Sequence, residues 1–296
     1  MASNPVWVAA ALMVVAGFSS FAAGEKAVPC YFIFGDSLAD NGNNNWLQTV
    51  AKVDYSPYGV DFRRGATGRF TNGRNIVDFF AEYLGFENYI PPFATATIID
   101  TLSGLNYGSG SAGILDETGA QLRLYVAGAR KIGVFALGQI GCVPFAIRRY
   151  GTNGSASGCA EALNDAAVLF NVQLKSAIDQ LQATLPGAQF VYIGSGSDML
   201  MTVRRKDPTT LSGLKALEVL DSPCCTVEAE SGQCVPDQPS CPDRSRYVFW
   251  DWFHPTEALN SLTAAAAFEA VRPIVAHSSS VGERSMIRLA AAVQAS

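Results

Sequence analysis

The sequence predicts an α/β fold with a mostly parallel sheet covered on both faces. Three observations predict it. Strand-length apolar runs alternate with helix-length amphipathic segments, in the order strand, helix, strand. The first apolar run, Tyr31 to Phe34, stops abruptly at Gly35-Asp36-Ser37 and gives way to polar loop residues, as a strand does at the mouth of a parallel sheet. Of 296 residues, 49% are hydrophobic and 16% charged. That composition supplies the core of one α/β domain of about 270 residues once a leader is removed.

The elements follow in chain order. Residues 6–18 are almost wholly apolar, and the small residues Ser19, Ser20, Ala22, Ala23 and Gly24 come next. This is the pattern of a secretory signal over residues 1–23, leaving one domain at 28–290 and an extracellular protein. The apolar run is short for a membrane anchor, and no other segment could span a bilayer. Residues 30–34 read as the first strand. Residues 39–70 form a long loop rich in Gly, Asn and aromatics. Its Trp46, Tyr55, Tyr58 and Phe62 read as ordinary loop packing, with the lining of an acyl groove as the alternative.

Residues 75–84 place Ile76, Phe79, Phe80 and Tyr83 on one helical face, with Gly85 as the stop. Residues 105–107 are a short strand opening into Gly108-Ser109-Gly110-Ser111, and 131–137 a buried strand. A long helix over 161–185 carries Leu163, Phe170, Leu174, Ile178, Leu181 and Leu185 at spacings of three and four, and Pro186-Gly187 ends it. Residues 189–193 and 247–250 read as strands, and a closing helix runs over 256–275.

Net charge is −5, and the longest basic run is Arg204-Arg205-Lys206, a solvated loop, so nothing favours nucleic acid. Seven cysteines in a secreted chain point to disulfides. Cys142 and Cys159 flank a Gly/Ser/Asn-rich loop and would close it. Cys224, Cys225, Cys234 and Cys241 form a second cluster whose pairing stays open. A zinc site there is the weaker reading, since no Cys-x-x-Cys pair and no nearby histidine support it. Cys30 is left unpaired, as a buried thiol beside the first strand. The loop closed by Cys142 and Cys159 also carries a glycosylation sequon at Asn153.

Serine is a poor nucleophile alone, so Ser37 needs a base and an orienting acid. The chain has two histidines. His254 has Asp251 three residues before it, a spacing that lets the carboxylate accept from Nδ1 and leaves Nε2 free to take the Ser37 proton. His277 has no carboxylate nearby and no expected role. Attack on an ester creates an oxyanion, which needs preorganised N–H donors. The Ser37 amide is one candidate. The Gly-rich turn at Gly108 to Gly113 offers others, because glycine lets backbone approach a ligand closely.

These residues fall into blocks. They are Gly35-Asp36-Ser37-Leu38-Ala39-Asp40 with the asparagines after it, Gly68-Arg69-Phe70-Thr71-Asn72-Gly73-Arg74, Asn106-Tyr107-x-Ser109-Gly110, Gly138-Gln139-Ile140-Gly141-Cys142-Val143-Pro144, and Asp251-x-x-His254-Pro255-Thr256-Glu257-Ala258. In this order the chain resembles the plant GDSL esterase/lipase group of the SGNH hydrolases. The resemblance implies a flavodoxin-like three-layer α/β/α fold and hydrolysis of carboxyl esters or acyl lipids in the apoplast, without metal or organic cofactor. It implies Ser37 as nucleophile, Asp251 and His254 as its partners, and Gly110 as an oxyanion donor.

One block of that family, Gly-x-Asn-Asp on a central strand, has no counterpart where it belongs. Glu117 to Leu122 looks like the sequence before it and Arg123 to Lys131 like the sequence well after it. The expectation is an internal deletion near 121–124 that removes a central strand and its oxyanion-binding asparagine. Gly194-Ser195-Gly196-Ser197-Asp198 looks similar to the lost block but lies too late in the chain. The deletion leaves two alternatives open, an impaired relative that binds lipids or esters without efficient turnover, and an acyltransferase with the same triad.

Overall fold

A computed structural model describes residues 26–113, 124–151, 158–194 and 217–276. The expected leader at 1–23, Asn153, His277, the deletion junction at 121–123 and residues 195–198 lie outside them. Helix α1 covers Ile76–Tyr83. Its start is set by a capping box: the Asn75 side chain accepts from the Asp78 amide at 3.1 Å, and Asp78 accepts from the Asn75 amide at 3.0 Å. Gly85, at φ 80°, ends it in the left-handed conformation glycine tolerates. Strand β1 is Lys131–Phe135, α2 Pro144–Tyr150, α3 Glu161–Thr184, β2 Gln189–Ile193, β3 Val219–Pro223, β4 Tyr247–Phe249 and α4 Glu257–Ala276. Helices are mixed with parallel strands along the chain, consistent with the α/β class.

The parallel strands appear as two pairs. Among the described residues β1 pairs with β2 and β3 with β4, both parallel, and the two pairs are separate. The expected strand at 30–34 reduces to a single bridge between Ile33 and Asn106. On that side the backbone forms a short parallel ladder. The Tyr31 amide donates to Ser103, the Ile33 amide to Leu105, the Tyr107 amide to Ile33 and the Ser109 amide to Gly35. In such a ladder alternate residues serve opposite edges. The other edge of this segment has no strand partner among the described residues, and one flank alone does not extend a ladder.

A helical layer holds the divided strands side by side. From α1 and its C-cap, Val77, Ala81 and Leu84 pack with Ile33, while Phe79 and Phe80 pack with Ile193 of β2 and with Ala264, Ala267 and Val271 of α4. The Phe80 ring lies 6.5 Å from Tyr31 and 5.9 Å from Phe135, so it touches both strand groups. The long helix α3 runs beside β1 and β2. Asn171 bonds both the amide and the carbonyl of Leu137, and Gln182 bonds Ala188 and Phe190. Its expected stripe is only partly covered: Ile178 is buried, Leu163, Phe170 and Leu174 are half-buried and Leu181 is exposed.

Two elements escaped sequence reasoning. Strand β3 contains Asp221, Ser222 and Pro223 and shows no alternation, and α2 is a seven-residue helix begun by Pro144.

Three disulfides form: Cys142 with Cys159, Cys224 with Cys241, and Cys225 with Cys234. The last two consume the four cysteines that a metal would have needed. Cys30 is free and half-buried. The first bond spans 17 residues and anchors the start of α3 to the loop before α2. Replacing both Cys142 and Cys159 by Ala is expected to lower stability by about 3 kcal/mol, because the unfolded chain regains the closed loop's entropy. Chemical denaturation checks this, and a loss below about 1 kcal/mol contradicts it.

Candidate active site

The site is built from a turn near the start of the chain and a turn near its end. After Ile33 the backbone closes on itself: the Leu38 amide donates to the Asp36 side chain at 2.9 Å and the Ala39 amide to the Asp36 carbonyl at 3.1 Å. This leaves Ser37 half-buried at the tip. At the other end, β4 runs into Asp251, whose Oδ1 accepts from the amides of Phe253 and His254, each at 2.8 Å. That local turn swings the His254 ring back over its own aspartate. Nδ1 of His254 lies 2.8 Å from Asp251 Oδ2 and 2.9 Å from Oδ1. Nε2 lies 2.8 Å from Ser37 Oγ, across 217 residues of sequence. Asp251 is fully buried and His254 nearly so, with the ring against Phe70 at 4.9 Å.

A hydroxyl bonded to an imidazole nitrogen, whose second nitrogen bonds a buried carboxylate, is the arrangement that lets serine lose its proton as it attacks. Sequence reasoning named all three residues, and the fold brings them within hydrogen-bond distance.

Gly110 departs from the expectation. Its amide donates to Asp40 Oδ2 at 3.0 Å, so it is engaged rather than open to a ligand. The Ser37 and Ser111 amides carry no hydrogen bond among the described residues. Ser111 holds φ 67° in the turn closed by the Ala112 amide on the Ser109 carbonyl. Gly110 is still required: a side chain there would meet Asn44 Nδ2 at 2.7 Å and the Phe70 ring at 2.8 Å.

The asparagine run after Ser37 proves to be scaffold. Asp40 is fully buried, and its Oδ1 accepts from the Gly42 and Asn43 amides, each at 2.7 Å. Burial pushes the Asp40 carboxyl up, against the lowering pull of its amide donors. Asn43 Nδ2 donates to the carbonyls of Asn106 and Gly108, Asn44 Nδ2 to that of Gly110, and Asn106 Nδ2 to that of Ala39. The Gly-rich turn is thereby clamped against the Ser37 turn.

Of the loop aromatics, Tyr58 and Phe62 are buried, Tyr55 is half-buried and Trp46 is exposed. Tyr58 has a contact the sequence does not announce: its hydroxyl donates to Asp251 Oδ2 at 2.7 Å. A cavity of about 430 Å³ lies among Asp61, Arg74, Arg244, Glu257 and their neighbours. Its lining includes none of the triad-like residues, and Arg74 and Arg244 are paired with Glu257 and Asp61.

The chain matches the family described as GDSL-like Lipase/Acylhydrolase over residues 31–127 and 114–267. It is 37% identical to GDSL esterase/lipase At1g33811 of Arabidopsis thaliana, over 82% of this chain and 88% of that protein. It is 34% identical to GDSL esterase/lipase At4g30140 of the same plant, over 90% of this chain and 94% of the relative. The two matched stretches overlap at 114–127, and the first alignment runs over 331 positions, more than the 296 residues of the chain. With the family matched over most of its length and relatives at this identity, the chain belongs to the GDSL lipase/acylhydrolase family.

Proposed function

We propose that the chain is a secreted serine esterase or lipase that hydrolyses carboxyl esters through an acyl-enzyme. The observation that carries this reading is the contact of Ser37 Oγ with His254 Nε2 at 2.8 Å, backed by Asp251 on Nδ1. Ser37 Oγ attacks the ester carbonyl and its proton passes to Nε2. Asp251 holds the ring in the right tautomer and stabilises the imidazolium. The unpaired Ser37 amide is the first oxyanion donor, and the Gly110 amide is the second once a ligand displaces its bond to Asp40. Collapse of the tetrahedral species expels the alcohol, which takes the proton from His254. Water then repeats the sequence on the acyl group and frees Ser37.

A shortened chain is part of the proposal. The overlap of the matched stretches at 114–127, and an alignment of 331 positions against a chain of 296 residues, support loss of a central strand near 121–124, and with it the asparagine donor. Loss of one oxyanion donor costs about 10²–10³ in kcat, so turnover is expected to be slow. The engaged Gly110 amide favours a second reading, a relative that binds lipids or esters with little turnover. Transfer of the acyl group to a hydroxyl acceptor uses the same three residues. Secretion is supported by the three disulfides. In that setting residues 1–23 are the removed signal and Asn153 is open to glycosylation. Among the described residues no helix is long and apolar enough to cross a membrane.

Hydrolysis of a short-chain p-nitrophenyl ester by the purified, folded mature chain tests the reading. Measurable turnover that saturates with substrate is expected. Folded protein that releases no nitrophenol above the buffer rate contradicts it and favours the binding-only reading.

A further inference from the structure

We propose, resting on the serine-hydrolase reading above, that Tyr58 is a positioning residue of this site. It holds the Asp251 carboxylate that orients His254. Asp251 is buried without access to water, so its oxygens depend wholly on protein donors. It has four: the amides of Phe253 and His254, Nδ1 of His254, and the Tyr58 hydroxyl. Three come from the aspartate's own turn and move with it. Tyr58 is the only one of the four from a distant segment, 193 residues away, and it bonds Oδ2, the oxygen nearest the imidazole.

The direction of that bond is fixed. The Cys234 amide lies 3.1 Å from the Tyr58 hydroxyl oxygen. An N–H can only donate, so it occupies an acceptor position on the phenol and leaves the phenol proton to Asp251. Cys234 is in turn held by its bond to Cys225, whose amide donates to the carbonyl of Trp250, the residue before Asp251. The Tyr58 ring is packed edge-on against Tyr55, Phe70 and Trp250, at 5.4, 6.4 and 6.4 Å. Phe70 is also the ring on which His254 rests.

Burial, and behind it the charge of Asp251, pushes the Tyr58 phenol well above its ordinary range, so it stays a donor wherever the enzyme works. The other ionisable groups around it are His254 beyond Asp251, and Tyr55, which feels Asp251, Glu228 and Asp54. Tyr55 directs its own hydroxyl to Gln233 and Cys234 rather than to Asp251.

Two consequences follow from the loss of this donor. The carboxylate loses the anchor on Oδ2, so the imidazole is held less well for attack. Its negative charge also falls more heavily on the imidazole, which then keeps its proton to higher pH. A tyrosine that merely fills space would alter stability and nothing else.

The test is the rate at which a fluorophosphonate probe labels Ser37, measured against pH for three forms of the full mature chain. These are the natural protein, Tyr58→Phe, and the protein carrying 3-fluorotyrosine at position 58, a stronger donor of nearly the same shape. Near-UV circular dichroism checks each fold. Tyr58→Phe is expected to react about tenfold more slowly, with the acid limb of its profile about half a pH unit higher. The fluorotyrosine protein is expected to move the limb the other way. Folded Tyr58→Phe with an unchanged rate and limb overturns the role of Tyr58 alone. If Tyr58→Phe does not fold, an unmoved limb in the fluorotyrosine protein overturns it. Natural protein that is folded but unlabelled at Ser37 overturns the hydrolase reading itself, and this proposal with it.

Discussion

Ser37→Ala is expected to lower ester turnover by on the order of 10⁴-fold or more, to the background of a folded protein with no nucleophile. The substitution removes one oxygen from a half-buried turn whose backbone is held by Asp36, Gly35 and the 106–110 segment, so the fold should survive it. His254→Ala should fall about as far, because nucleophile and base act as a unit. Asp251→Asn should lose less, since it keeps the shape but alters the tautomer facing Ser37. Steady-state rates with a p-nitrophenyl ester, beside a circular dichroism spectrum of each variant, measure the series. Activity retained within about tenfold in Ser37→Ala would place the chemistry elsewhere.

The largest expected effect on stability is at Asp78. Arg69 and Asp78 form a buried two-point ion pair, Nε to Oδ2 and Nη2 to Oδ1, both at 2.7 Å. The guanidinium also lies over the Phe62 ring, 4.3 Å from its centroid, and Asp78 supplies half of the α1 capping box. Asp78→Ala leaves a buried, uncompensated guanidinium and opens the helix start. A cost of about 3–5 kcal/mol is expected, from a total margin of about 5–15. Denaturant midpoints measure it. The double change Arg69→Met with Asp78→Leu should recover most of that loss, because no charge then remains to be compensated. A single Asp78→Ala protein within about 1 kcal/mol of the natural one would show that water reaches Arg69.

The active-site residues were legible because their signals are local. Gly35-Asp36-Ser37 breaks an apolar run, and Asp251 stands three residues before one of only two histidines. The helices at 76–83, 161–184 and 257–276 were legible to within a residue or two, because periodicity and stop signals mark them. Three things were not. Strand β3 lacks alternation and gains its structure from pairing with β4. The asparagine run gave no hint that its side chains would clamp the 106–110 turn, since that depends on carbonyls more than sixty residues away. Nor did any signal mark Tyr58, a loop aromatic among others until the fold places its hydroxyl on Asp251. Among the described residues the strands form two parallel pairs and the segment around Ile33 bonds on one side; strand order alone does not say which edges pair.

The most direct test of the account is mass spectrometry of the folded mature chain after treatment with a fluorophosphonate. One adduct per chain is expected, on Ser37, formed rapidly by the natural protein and lost in His254→Ala. A folded chain that takes no label, or one whose labelling is indifferent to the loss of His254, would contradict it.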